Sequence, residues 1–166
     1  MFYQVVSLYK FYFIKSNYSQ TLLLGVLKSL FSIIFSMNIN IPISYGELMD
    51  KLTILEIKQQ KIVNQDKLKN INNEYMELDE VAKYLKNIDM TGYENFYKKL
   101  FEVNLGLWEI EDKIRILEKD KNFDSKFIEL AREVYFTNDK RFEIKSEINK
   151  HFGSEFFEEK QYVEYE

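Results

Sequence analysis

The sequence predicts an all-α fold: an antiparallel bundle of about four long helices with coiled-coil-like seams, behind an N-terminal hydrophobic extension. Three observations predict it. Apolar residues recur at alternating spacings of three and four, which marks one face of a helix and not of a strand. One Pro and five Gly in 166 residues leave few breakers for a sheet rich in turns. Capping residues stand where three of the four apolar periods begin.

The first helix opens on Ser44-Tyr45-Gly46-Glu47, a capping box whose Ser hydroxyl and Glu carboxylate satisfy free N–H groups. It runs to about Val63 with Leu48, Leu52, Leu55 and Ile62 on one face. Asn64-Gln65-Asp66 interrupts it, and Asp66 is placed to cap the second helix, whose seam is Leu68, Ile71, Tyr75, Leu78, Ala82 and Leu85. Asn87 to Gly92 reads as a loop. The third helix carries the longest seam: Phe96, Leu100, Val103, Leu107, Ile110, Ile114 and Leu117. At 1.5 Å per residue it is roughly 40 Å long. Asp120-Lys121-Asn122 ends it, Asp124 caps the fourth helix, and Gly153 stops that helix after Phe152. Short connections make successive helices antiparallel. The acidic, aromatic tail from Ser154 to Glu166 adds a turn or packs across the bundle.

Residues 1–36 form a different object from the bundle of 37–166. They carry Lys10, Lys15 and Lys28 and no acid, a charge of +3, so the total of −4 leaves −7 on the rest. The apolar run from Thr21 to Phe35 is interrupted by Lys28 and is short of the 20 or so residues a spanning helix needs. No small-residue cleavage site follows it, so a secretory signal fits poorly. Met37 reads as the native initiator, with residues 1–36 as translated upstream sequence; a membrane anchor and a genuine folded helix are the alternatives. A cytoplasmic protein follows from the first reading, an inner-membrane-associated one from the anchor.

Composition removes several chemistries. There is no Cys, hence no disulfide, thiolate metal site or Cys nucleophile. A single His, His151, excludes multi-His zinc and di-iron sites. An acidic domain lacks the clustered basic charge that drives nonspecific nucleic-acid binding. No phosphate loop, nucleophile elbow or zincin motif occurs. Glu109-Ile110-Glu111-Asp112 points in several directions around a helix, as a solvated face does, and His151 suits the helix dipole in the last turn.

One stripe does not fit a plain bundle. On the fourth helix Phe127, Leu130, Ala131 and Val134 mark an inward face, and the same direction continues as Asn138, Arg141, Lys145 and Asn149. Burying such groups is costly unless they are paired. Arg is scarce here, three against 20 Lys, so its planar fork has a use where it persists. Arg115 has Glu111 and Asp112 one turn before it, and Arg132 has Glu129. Arg141 has no acid three or four positions away, so its partner comes from another helix or from outside. On the third helix Asn104, Trp108, Glu111 and Arg115 form a second polar stripe beside the apolar seam.

These residues carry a resemblance. The run Pro42-Ile43-Ser44-Tyr45-Gly46-Glu47-Leu48-Met49-Asp50-Lys51-Leu52-Thr53-Ile54-Leu55-Glu56-Ile57-Lys58 is one matching stretch, and Leu107-Trp108-Glu109-Ile110-Glu111-Asp112 with Arg115 is another. Leu130-Ala131-Arg132, Tyr135, Asn138-Asp139, Arg141, Lys145, Ile148-Asn149 and Glu158-Glu159-Lys160 complete them. From about Asn38 to Tyr162 the chain resembles a family of short bacterial proteins known only as a domain of unknown function. The resemblance implies helices and a bacterial source, and it supplies no activity.

Three functions stay open. The one the sequence favours, leaning away from an enzyme, is a non-catalytic protein-interaction or oligomerisation module with no cofactor and no metal. The second binds, or transforms, a small anionic carboxylate or phosphate in a cationic groove between helices, with Trp108, Glu111, Arg115, Asn138, Arg141 and Lys145 as its site. The third is a membrane-tethered partner and depends on residues 1–36. A module predicts that Arg141 meets Glu47, Asp50 or Glu56 of the first helix, with no cavity; a ligand site predicts an open groove beside Arg141 and Lys145, walled by Trp108 or Arg115.

Overall fold

The computed structural model describes residues 39–161. Four helices fill this range: α1 (Tyr45–Lys61), α2 (Gln65–Ile88), α3 (Met90–Lys119) and α4 (Ser125–Phe152), and no strand occurs among the described residues. Residues 1–36, the start at Met37 and the tether lie outside that range, as does the end of the tail. Among the described residues no helix is long and apolar enough to cross a membrane.

Each helix starts on a side-chain cap. Ser44 accepts from Glu47 N–H, as the capping box predicts. Asn64, and not Asp66, caps α2 by accepting from Lys67 N–H; Asp66 sits inside the first turn, where its charge favours the helix dipole. The loop expected between Asn87 and Gly92 is replaced by one residue. Asp89 ends α2 and caps α3, its carboxylate accepting from Gly92 N–H at 2.9 Å. Asn87, Ile88 and Met90 to Gly92 are helical, and a single extended residue makes the turn. Asp124 caps α4 and Gly153, at φ 69°, closes it in the left-handed conformation.

Side-chain pairs fix the directions. Tyr45 lies by Tyr84, and Gln59 bonds Asn72, so α2 runs back along α1. Lys86 lies over Tyr93, across the α2–α3 corner. Phe96 meets Phe152 and Lys99 pairs with Glu147, so α4 runs back along α3. Gly46 bonds Asn149 and Asp50 pairs with Arg141, so α4 is also antiparallel to α1. The topology is therefore up-down-up-down. The core lies at the end where α1 begins, and all four helices supply it: Leu48, Met49 and Leu52, Ala82 and Leu85, Tyr93 and Leu100, Ile148 and Phe152.

The seams expected on α2 and α3 are all buried or half-buried. On α4 the inward face holds except at Ala131, which is exposed. The reason is length. α1 has 17 residues and α3 has 30, so α3 and α4 run on as a two-helix arm after α1 has ended. Two helices can enclose only one seam, and between Ser125 and Ile144 only Leu130 is fully buried.

α1 and α4 approach closely at Gly46. A Cβ placed there would stand 2.7 Å from the Lys145 carbonyl oxygen and 2.9 Å from the Lys145 Cβ. The absence of a side chain lets Gly46 N–H reach Asn149 Oδ1 at 2.7 Å.

Candidate functional site

The polar stripe of α4 meets a complementary stripe on α1. Gly46, Asp50, Thr53 and Ile57 recur at helical spacing and are buried, facing α3 and α4. Asp50 is 3% exposed. Arg141 grips it with both prongs of its guanidinium, Nε donating to Oδ1 at 2.8 Å and a terminal nitrogen to Oδ2. Asn104 of α3 donates to the same Oδ1 at 2.8 Å and to Thr53 Oγ at 2.9 Å, while the Thr53 hydroxyl donates to the Asp50 carbonyl. Hydrogen bonding to Asp50 raises the Arg141 pKa and outweighs the opposing effect of burial. Asn138 receives a longer bond of 3.4 Å from Arg141 and donates to the Val134 carbonyl.

One turn further along α4, Lys145 is 7% exposed and closes a second cluster. Its ammonium lies 2.5 Å from Glu47 of α1 and 2.5 Å from Glu158 of the tail. Burial lowers its pKa, but the bonds to Glu158 and Glu47 overcome this and raise it; burial likewise pushes Glu158 up, and Lys145 brings it below the usual carboxylate range. The tail packs across the bundle over its described part: Ser154 accepts from Tyr45 N–H, and Lys160 lies 4.8 Å from the Phe142 ring centroid. The space left around Lys145 is about 10 Å³, room for one water at most.

Beside Arg141, by contrast, lies an open groove of about 440 Å³. Asn138 and Arg141 line one side and Trp108, Glu111 and Arg115 the other, over Ile54, Ile57 and Leu107. Five of the six residues singled out in the sequence thus share one groove, and Lys145 stands outside it. Both geometries expected for Arg141 occur together: an acid from α1 holds it, and a groove runs past it. The groove is not, however, a vacant cationic site. Arg115 bonds Glu111 at 2.6 Å and lies 3.5 Å from Asp112, so each guanidinium has a carboxylate of its own. Arg132 lies over the Phe136 ring, and Glu129, its expected partner, pairs with Lys126 at 3.2 Å.

Two further constellations were not read from the sequence. His151 Nε2 lies 2.9 Å from Asp89 Oδ2 at the α2–α3 corner, and the Asp89 pKa falls because Gly92 N–H and then His151 bond its carboxylate. Tyr75, Tyr93 and Tyr97 surround a second cavity between α2 and α3; the spacing of four between Tyr93 and Tyr97 was the available signal. Among the described residues no group of three or more His, Asp or Glu is arranged to hold a metal ion.

No curated protein and no solved structure matches the chain. A family model matches residues 38–165, which include every residue of both polar stripes and of the groove. The chain belongs to that family, the Family of unknown function (DUF6165).

Proposed function

We propose that this domain is a non-catalytic interaction module that pairs with a second copy of itself through the α3–α4 arm. The observation that carries the reading is the pairing of Arg141. Its charge is spent inside the protein, on Asp50, so the most unusual residue of the α4 stripe locks the bundle and does not wait for an anion. What the bundle leaves uncovered is the arm. Ile128, Ala131 and Tyr135 recur at helical spacing along α4 and are exposed, and their line continues into Asn138 at the groove. Ile116 and Phe123 are exposed nearby, 58% and 53%.

Charge permits a second copy. From Glu111 to Asn138 the arm carries Glu111, Asp112, Glu118, Asp120, Asp124, Glu129 and Glu133 against Lys113, Arg115, Lys119, Lys121, Lys126 and Arg132, so its charges nearly cancel in a domain of net negative charge. Charge therefore opposes the pairing of two arms only weakly. A two-fold pairing of two-helix arms completes a four-helix bundle and buries the apolar stripe. Sedimentation of the full chain across the micromolar range is expected to show a reversible dimer, and Ile128→Lys a monomer of unchanged helicity. A wild-type monomer, or a dimer that Ile128→Lys leaves intact, overturns the reading.

The groove favours a second reading. Its volume falls in the range of small-ligand sites, and a carboxylate that drew Arg115 away from Glu111 would find Asn138 and Arg141 opposite. Trp108 is the one Trp of the chain and lines the groove, so its emission reports binding directly. A saturable change with succinate or inorganic phosphate supports this reading, and a flat titration removes it.

A further inference from the structure

We infer that the cavity between α2 and α3 binds a primary ammonium group, at a site separate from the groove and from the arm. The cavity measures about 400 Å³ and its wall includes Glu56 of α1, Tyr75 of α2 and Tyr93 and Tyr97 of α3. Two features of this wall are incomplete. Glu56 is half-buried and forms no ion pair among the described residues; the bond it accepts comes from the Tyr97 hydroxyl, at 2.7 Å. Tyr93 is 4% exposed and its hydroxyl makes no hydrogen bond. A carboxylate withdrawn from water calls for a cation, and a buried hydroxyl calls for a partner.

The same wall shows which cation it suits. Lys86 places its ammonium 2.6 Å from Asp79 and 5.2 Å from the centroid of the Tyr93 ring, a carboxylate and an aromatic face acting together. Glu56, held by the Tyr97 hydroxyl, likewise sets a carboxylate beside a tyrosine, and no ammonium meets it among the described residues. The Tyr93 and Tyr97 rings stack at 5.7 Å, so the two half-sites adjoin. An ammonium at the second half-site donates one N–H to Glu56 and its charge faces the tyrosine rings, and a small shift of the Tyr93 side chain, whose hydroxyl is enclosed, lets that oxygen accept a second N–H. Glu94 and Lys98, both exposed on the same wall, cancel in charge, so Glu56 sets the sign of the site.

Calorimetric titration of the full chain tests this with n-butylammonium, putrescine, Nα-acetyl-lysine amide and, as the uncharged control, n-butanol. One ammonium is expected to bind per chain and butanol not to bind. Putrescine binding tighter than the lysine amide identifies a free amine as the source, and the reverse order a protein lysine; either supports the site. Glu56→Gln is expected to weaken binding about tenfold or more, since a charge-assisted bond is lost. Tyr93→Phe should weaken it about threefold and leave the melting temperature unchanged or higher, because the hydroxyl gives up no bond within the protein. Absence of saturable binding, or equal binding by Glu56→Gln, overturns the proposal. So does a lowered melting temperature in Tyr93→Phe, which would show that the hydroxyl already has a partner.

Discussion

Replacing Arg141 by Leu is expected to destabilise the domain by about 3–5 kcal/mol, because it leaves a buried carboxylate alone. The Asp50 side chain is 4% exposed and that of Arg141 27%, so the acid suffers more from the loss. Asn104 still donates to Asp50, which places the expected value toward the lower end of that range. Thermal or urea unfolding measures it; for a domain of this size the melting temperature should fall by roughly 10–20 °C. The double variant Asp50→Leu with Arg141→Leu should recover most of the loss, since removing both charges together removes the uncompensated one. A loss below about 1 kcal/mol in the single variant would mean that Asp50 does not depend on Arg141. Arg141 would then be free to serve a ligand, and the groove reading would gain at the expense of the module.

The second large effect is a reversal of sign. Gly→Ala within a helix ordinarily stabilises by about 0.5–1 kcal/mol. At Gly46 it is expected to cost about 1–3 kcal/mol, because the added methyl meets backbone, which cannot swing aside as a side-chain tip can. The contact is the Lys145 carbonyl at 2.7 Å, and relief requires α1 to move off α4. That movement stretches the bond from Gly46 N–H to Asn149 and separates Glu47 from Lys145. Gly106 is the internal control: a Cβ there meets nothing within 4 Å, so Gly106→Ala should show the ordinary gain. Equal effects at the two positions in denaturant unfolding would refute the close approach.

The architecture was legible because burial repeats with the helix, and three of the four helices bury a continuous seam. Arg141 was legible as a residue needing a distant partner, because no acid lies within a turn of it. Which acid it finds was not. Glu47, Asp50 and Glu56 are spread along the first turns of α1, and only the levels at which α1 lies against α4 and α3 assign Asp50 to Arg141, Glu47 to Lys145 and Glu56 to Tyr97. Lys145 lay on the expected stripe yet outside the groove, since the tail brings Glu158 over it and a tail has no periodicity to read. The tyrosine cavity escaped for a related reason. Tyr75 counts as a seam residue in any periodic reading, and an unpaired hydroxyl is a property of three dimensions alone.

Asp89 makes the two ends of the bundle unequal in their tolerance of insertions. At the end where α3 turns into α4, five residues from Asp120 to Asp124 separate the helices and all are exposed. A residue added there extends a loop. Between α2 and α3 there is no slack, because one residue caps both helices and its side chain also holds His151. An insertion at this corner must either be looped out, losing the caps, or turn every following position of α3 by about 100°. Such a turn would swing Leu100 and Leu107 out of the core and Asn104 away from Asp50. Length variation in this chain is therefore free at the tip of the arm and forbidden at Asp89.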